Sequence, residues 1–130
     1  RNLISKVRIF GNFMLPSTME LMKSVGGDGT IGGGTIYGRP DPKFYEDFWK
    51  GDFEAALAHA RANEVLQARL WLPGGFRGKW GAYQSQLKLI MKLIGQPGGE
   101  VRPPRLPVTD PRAIEEIRTI LRECDIPIVG

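Results

Sequence analysis

The stretch GGDGTIGGGTIYG, residues 26–38, decides the fold, because it predicts a strand that ends among glycines. Seven of its thirteen residues are glycine, and Ile31 and Ile36 flank the densest part. Glycine weakens a strand unless another backbone or a ligand must come close. We therefore predict a strand over residues 29–36 whose glycine-lined end faces a small ligand.

The same stretch contains Gly27-x-Gly29-x-x-Gly32, a spacing that occurs in dinucleotide-binding sites. Such a site needs a strand before the glycines and a helix that opens on them. Here a helical pattern precedes the glycines, and the strand-like residues Thr30 and Ile31 fall among them. The sequence therefore favours a small-ligand site over a dinucleotide site.

Composition places the chain among ordinary single-domain proteins. Its 130 residues carry a net charge of +4 without a run of like charges, which favours general solubility over a nucleic-acid surface. A basic, helical nucleic-acid binder is one hypothesis, because aromatic residues lie near Arg77 and Lys79 and bases can stack on such side chains. The single cysteine, Cys124, excludes an internal disulfide and favours a reducing cytoplasm. No apolar run approaches the ~20 residues of a membrane span.

A second strand is predicted before the glycine stretch. Residues 6–10 alternate polar and apolar side chains and then stop at Gly11. Ser17, with Glu20 three residues later, is typical of a capping box at a helix start, and Gly26 is typical of a helix end. Strand, helix and strand in this order form a βαβ unit, which implies parallel strands.

Four helices are predicted after the glycine stretch. Asp41 with Pro42 starts the first, Asp52 caps a long alanine-rich one, residues 84–94 form an amphipathic one, and Asp110 caps the last. The pattern predicts an α/β fold with a helical C-terminal part. Parallel sheets normally continue to neighbouring strands and are covered on both faces, so we expect these residues to be the end of a larger sheet or barrel.

Several stretches, taken in order and spacing, resemble the dihydrodipicolinate synthase / N-acetylneuraminate lyase family. They are FGN at residues 10–12, GGDGTIG at 26–32, Pro42 with Phe44, KGDFEAA at 50–56 and LIGQPGGEVRPPRLP at 93–107. The resemblance covers nearly the whole chain. It implies the C-terminal part of a (β/α)8 TIM barrel, with the last two parallel strands and their helices in residues 1–50. A C-terminal three-helix extension would occupy residues 51–130.

The resemblance also implies an activity. Members of this family are class I aldolases and lyases, in which a lysine forms a Schiff base with pyruvate or another 2-oxo acid and a tyrosine shuttles protons. Both residues would lie upstream of Arg1, so the resemblance implies no catalytic residue in this chain, no cofactor and no metal. We expect the parent protein to be a lyase for aldol-type condensation or cleavage, and the chain alone to be inactive. The alternative is a non-catalytic relative that serves as an interaction or regulatory module.

Five residues would line the 2-oxo-acid pocket according to the resemblance. They are Gly11, Asn12, Ile31, Gly32 and Tyr37. Ile31 would contribute its backbone carbonyl, and glycine would leave room for a planar Schiff base. Asn12 stands where the family has aspartate, which removes a charge. For Gly11, Ile31 and Gly32, packing of the strands alone is the alternative interpretation.

The expected partners are a pyruvate-like 2-oxo acid, the N-terminal part of the barrel and further copies of the chain in a dimer or tetramer. Neither nucleic acid nor a membrane is expected as a partner. Unpaired strand edges promote association, so we do not expect a stable monomer without the rest of the barrel. His59 has no second histidine or cysteine at ligand spacing, and we interpret it as a surface or interface residue.

Overall fold

Helices account for most of the residues that the computed structural model describes, which are residues 7–12, 14–31, 40–71 and 79–129. The elements in chain order are strand β1 (Phe10–Gly11), helix α1 (Pro16–Val25), strand β2 (Gly29–Thr30), α2 (Pro40–Lys50), α3 (Phe53–Leu70), α4 (Tyr83–Leu93) and α5 (Pro111–Glu123). The chain separates into two compact units, Arg1–Glu64 and Val65–Gly130. Of the helices in the described ranges, none has the length and apolar character needed to span a membrane.

The two strands form a short parallel pair. Phe10 lies opposite Gly29, and Gly11 lies opposite Thr30. Each strand is two residues long, although strands over residues 6–10 and 29–36 were predicted; residues 32–36 lie outside the described residues. The predicted portion of a TIM barrel is wrong, because the described residues are mainly helical and hold no strand of ordinary length.

Packing explains why the barrel prediction fails. Strands of a parallel sheet are normally buried on both faces. Here the side chain of Phe10 is 55% exposed and that of Ile31 is 67% exposed, so apolar groups that would lie inside a sheet face solvent. Gly11 and Gly29 contribute no side chains to pack, and glycine weakens a strand. The pair therefore stays short, and the core is built from helices instead.

The start of α1 differs from the predicted capping box. Leu15 is the N-cap residue, and its N–H donates to the hydroxyl of Thr18 at 3.2 Å. Pro16 occupies the first helical position, where its fixed φ suits a helix and its missing N–H has no partner to lose. The prediction that Ser17 and Glu20 form the capping box is therefore wrong by two positions.

Three other predicted helix boundaries are confirmed. Gly26 ends α1 in the left-handed conformation, at φ +71°. A carboxylate oxygen of Asp52 accepts the N–H of Ala55 at 3.1 Å at the start of α3. Asp110 caps α5 by accepting the N–H of Arg112 at 2.9 Å. The two aspartate side chains satisfy amides that have no partner within their helix.

The unit Arg1–Glu64 has its own apolar core. Its fully buried members are Met19 and Met22 of α1, Phe44 of α2, and Ala56 and Ala60 of α3. The ring of Phe44 meets that of Tyr45 edge to face, with centroids 4.8 Å apart. Buried Asn63 of α3 donates its amide to the Met14 carbonyl at 2.6 Å, which anchors the segment before α1.

The unit Val65–Gly130 has a second core between α4 and α5. Ile90 and Leu93 of α4 and Ile117 and Leu121 of α5 are buried. Ile117 and Leu121 belong to the apolar stripe that the helical spacing predicts. The N–H of Val129 donates to the carbonyl of Leu93 at 2.7 Å, so the segment after α5 returns to the end of α4.

A carboxylate on α5 holds the segment before α4. Glu116 accepts the ammonium of Lys79 at 2.6 Å and the indole N–H of Trp80 at 2.9 Å. These two bonds, in that order of size, lower the pKa of the Glu116 carboxyl. Lys79 and Trp80 are thus engaged within the unit, and Arg77 lies outside the described residues.

Candidate functional site

The carboxyl ends of β1 and β2 meet at one edge, as parallel pairing requires. The N–H of Ile31, the residue after β2, donates to the carbonyl of Gly11, the last residue of β1, at 3.0 Å. Asn12 follows directly and is exposed. Gly11, Asn12 and Ile31 therefore lie together, and we call these three residues the strand-end site.

The other two predicted pocket residues, Gly32 and Tyr37, lie outside the described residues. Within the strand-end site, Gly11 is half-buried and the Ile31 side chain is largely exposed. The Ile31 side chain is therefore not committed to the core, and its main chain lies beside that of Gly11. Substrate binding by these residues stays a prediction.

Sequence reasoning missed Asp28, which lies directly before β2. Its N–H donates to the carbonyl of Ile9 at 2.8 Å, and its carboxylate accepts the N–H of Ile9 at 2.9 Å. The guanidinium of Arg8 donates to the other carboxylate oxygen at 2.7 Å. The Ile9 amide, followed by Arg8, lowers the pKa of the Asp28 carboxyl. The available signal was a pair of opposite charges, Arg8 within the first predicted strand and Asp28 directly before the second.

The close neighbour of Gly29 is a side chain of the same unit. A Cβ at this position would lie 2.5 Å from Cε1 and 2.8 Å from Cδ1 of Phe10. With the Phe10 ring in its observed position, only glycine lets the ring lie over the β2 backbone. At Gly29, glycine makes room for an aromatic ring of the same unit, where the sequence predicted room for a ligand.

Most of the described lysines are unsuited to Schiff-base formation. Such a lysine must lose its proton, whereas a nearby acceptor oxygen stabilises the charged ammonium. The oxygen partners are Glu20 for Lys23, Asp47 for Lys43, Glu116 for Lys79, the Gly98 carbonyl for Lys88 and Glu100 for Lys92. The bond to Asp47 raises the pKa of the Lys43 ammonium. Lys50 is exposed at the end of α2, and Lys6 lies outside the described residues.

A buried carboxylate in α2 forms a second polar cluster. Asp47 pairs with Lys43 one turn earlier, and its Oδ2 lies 3.4 Å from Nε2 of His59 on α3. The Lys43 hydrogen bond is the main cause that lowers the pKa of the Asp47 carboxyl. His59 is half-buried against α2, which gives it a defined partner that the sequence did not reveal. The cluster joins α2 to α3.

A surface cleft of about 440 Å³ lies at the end of α4. Lys88 and Lys92 line it together with the glycine-rich loop after the helix. The Lys88 ammonium donates to the Gly98 carbonyl, and the Lys92 ammonium lies 3.4 Å from the Glu100 carboxylate. Because both cations already face protein oxygens, the cleft is a poor receptor for an anion. No three His, Cys, Asp or Glu side chains within the described ranges are placed to hold a metal ion.

Comparison with known proteins does not assign the chain to a family. No family model, no curated protein and no solved structure matches it. The likeness to Schiff-base lyases therefore stays a prediction from motif order, and the strand-end site is the structural observation available to support a function.

Proposed function

We propose that this chain belongs to a Schiff-base lyase that acts on pyruvate or another 2-oxo acid, similar to the dihydrodipicolinate synthase / N-acetylneuraminate lyase family. The observation that carries the proposal is the bond from the Ile31 N–H to the Gly11 carbonyl. It brings three of the five predicted pocket residues to one edge. The helical architecture lends no support of its own, so the proposal depends on this geometry and on the order of the motifs.

The strand-end site suits one wall of a 2-oxo-acid pocket. Gly11 has no side chain, so a planar group can approach its backbone closely. The exposed amide of Asn12 supplies a neutral donor and acceptor for a carboxylate or hydroxyl. In the proposed reaction a lysine amine attacks the ketone carbon, water leaves, and an imine forms. According to the resemblance, the amine comes from a lysine outside these residues; of the described lysines, all but Lys50 already donate to a protein oxygen.

Reductive trapping tests the proposal on the full-length protein. The protein is incubated with pyruvate and borohydride, which delivers hydride to the imine carbon and leaves a stable secondary amine on the lysine. Mass spectrometry of the digested protein then locates the modified residue. We expect one modified lysine, located outside residues 1–130, and no adduct when the 130-residue chain is treated alone.

Two outcomes would contradict the proposal. If neither pyruvate nor a larger 2-oxo acid such as 2-oxobutanoate leaves an adduct, the protein is not a Schiff-base lyase of this kind. If the adduct falls on a lysine within these 130 residues, the assignment of the nucleophile to another part of the protein is wrong.

The exposed apolar side chains of the strand pair favour a second candidate, a non-catalytic interaction module. Phe10 lies opposite Gly29, and Ile31 comes two residues after Gly29. The side chains of Phe10 and Ile31 therefore lie on the same side of the pair, and both are exposed. Absence of an adduct, combined with self-association that Ile31→Ser abolishes, would support this alternative over the lyase.

A further inference from the structure

Asp28 binds both main-chain groups of a single residue, Ile9, which lies directly before β1. Its own N–H donates to the Ile9 carbonyl at 2.8 Å, and its carboxylate accepts the Ile9 N–H at 2.9 Å. In a parallel pair one residue normally bonds to two different residues of its neighbour. The carboxylate thus closes a two-point contact directly before the strands pair.

This contact sets the register of β1 against β2. With Asp28 fixed on Ile9, Phe10 lies opposite Gly29 and Gly11 lies opposite Thr30. The Ile31 N–H then reaches the Gly11 carbonyl. A slip of one residue would bring different residues to the edge and turn their side chains to the other face.

Two other contacts act on the register: the Phe10 ring lies over Gly29, and Ile9, directly before β1, packs against the core of the unit. Each strand is two residues long, and one residue of each is glycine. Register is weakly specified in glycine-rich strands without a fully buried face. Arg8 holds the second carboxylate oxygen at 2.7 Å, and these contacts lower the pKa of the Asp28 carboxyl, so it stays ionised to a lower pH than an ordinary aspartate.

We propose that Asp28 is a positioning residue of the strand-end site, which holds Gly11, Asn12 and Ile31 in the arrangement that accepts the carboxylate end of a 2-oxo acid. This role rests on the proposed function. Asp28 acts through Ile9 and the strand register, and it makes no contact with substrate itself.

The test compares two aspartates with the same kinds of partner. Asp28 and Asp110 each accept one main-chain N–H and one arginine guanidinium, but Asp110 caps α5 in the other unit. The variants Asp28→Ala and Asp110→Ala, which remove the acceptor oxygens, are made in the full-length protein. Borohydride trapping is then measured over a range of pyruvate concentrations, to obtain the half-saturating concentration and the maximal extent of adduct.

We expect Asp28→Ala, which removes the acceptor of the Ile9 N–H, to raise the half-saturating pyruvate concentration by about tenfold or more, because small misplacements of a binding group have effects of this order. The maximal extent should be unchanged, since the lysine is untouched. Asp110→Ala should leave both quantities within about twofold while lowering thermal stability, since loss of a helix cap acts on folding alone. A general loss of stability would not separate the two variants in this way.

Amide hydrogen exchange of Ile31 reports on the register directly. Exchange should accelerate in Asp28→Ala and stay unchanged in Asp110→Ala. A tenfold shift in half-saturation without faster Ile31 exchange would overturn the register mechanism. If Asp28→Ala does not fold, Asp28→Glu, which keeps the charge but displaces the carboxylate, is judged by the same criteria.

The two proposals fail in different ways. If the unsubstituted protein forms no adduct, the lyase function is wrong and the positioning role falls with it. If the unsubstituted protein forms the adduct and Asp28→Ala has the same half-saturating concentration, only the role of Asp28 is wrong.

Discussion

The strand pair and the α4–α5 core are stabilised by opposite means. In the strand pair, Phe10 and Ile31 face solvent. The contacts between the strands are main-chain hydrogen bonds and the hydrogen bond accepted by the Asp28 carboxylate. Between α4 and α5, by contrast, apolar side chains such as Ile117 and Leu121 are completely buried. Burial of an apolar side chain contributes about 1.5–3 kcal/mol, whereas a hydrogen bond contributes about 1 kcal/mol net.

This difference in burial suggests that the helical core serves stability and the strand ends serve binding. The helical core holds groups that no ligand can reach, while the strand ends leave backbone and polar groups accessible. Binding residues are commonly placed on accessible segments that a stable scaffold positions. If the two regions divide the work in this way, substitutions in the helices should change stability far more than substitutions at the strand ends.

The largest expected effect is truncation in the helical core. Ile117→Ala should lower the free energy of unfolding by about 2–5 kcal/mol, because it leaves a cavity at a fully buried site. Ile31→Ala, at a mostly exposed site, should change it by no more than about 0.5 kcal/mol. Urea unfolding followed by circular dichroism gives both values, and equal losses would erase the contrast between the regions.

The next effect concerns the anchor before α1. Asn63→Ala should lower the free energy of unfolding by about 1–3 kcal/mol, because the buried Met14 carbonyl loses its donor. Glu64→Ala, at an exposed position on the same helix, is the matched control and should stay within about 0.5 kcal/mol. Urea unfolding measures both, and similar values for the two variants would show that the Asn63 bond is dispensable.

A smaller effect is expected where α1 turns toward β2. Gly26→Ala should lower the free energy of unfolding by about 1–2 kcal/mol, because an L-residue is strained in the left-handed region at φ +71°. No atom crowds the added methyl, so the loss reports backbone strain alone. Ser24→Ala, exposed in the last turn of the same helix, is the control in the thermal or urea melts. A loss no larger than that of Ser24→Ala would contradict the strain argument.

The smallest effect is pH-dependent. The pKa of Asp47 is lowered from the ordinary value of 3.8, so its contribution to stability is fully present above that pH and is lost as the pH falls through the folded-state pKa. The contribution is small, because Lys43 is half-exposed and surface pairs are screened. Asp47→Asn should flatten part of the acid dependence of the urea midpoint between about pH 5 and 2. The exposed neighbour Glu46→Gln is the control, and an unchanged acid slope in Asp47→Asn would contradict the assignment.

Helices could be predicted from the sequence because their signals are local. Asp52 and Asp110 lie directly before their helices, Gly26 ends one, and the spacing of Ile117 and Leu121 marks a buried face. Each signal concerns residues within a few positions of one another, so no knowledge of the remainder of the fold is needed.

The strands and the polar contacts of the site could not be predicted in the same way. Strand length depends on what covers each face, and the exposure of Phe10 and Ile31 is not encoded in their own alternation. The bond from Asp28 to Ile9 joins residues 19 positions apart, and His59 meets Asp47 on another helix. The residues of the strand-end site were named from motifs, but the Asp28 carboxylate beside them was not.

The contacts of Trp80 make this residue an optical reporter. Its indole N–H is bound to the Glu116 carboxylate, and the Lys79 ammonium lies 5.6 Å from its ring centre. Indole emission responds to nearby charge, so detaching the 79–80 segment from α5 should alter its wavelength or intensity. With Trp49 and Trp71 replaced by phenylalanine, fluorescence of the protein would follow this one attachment in real time.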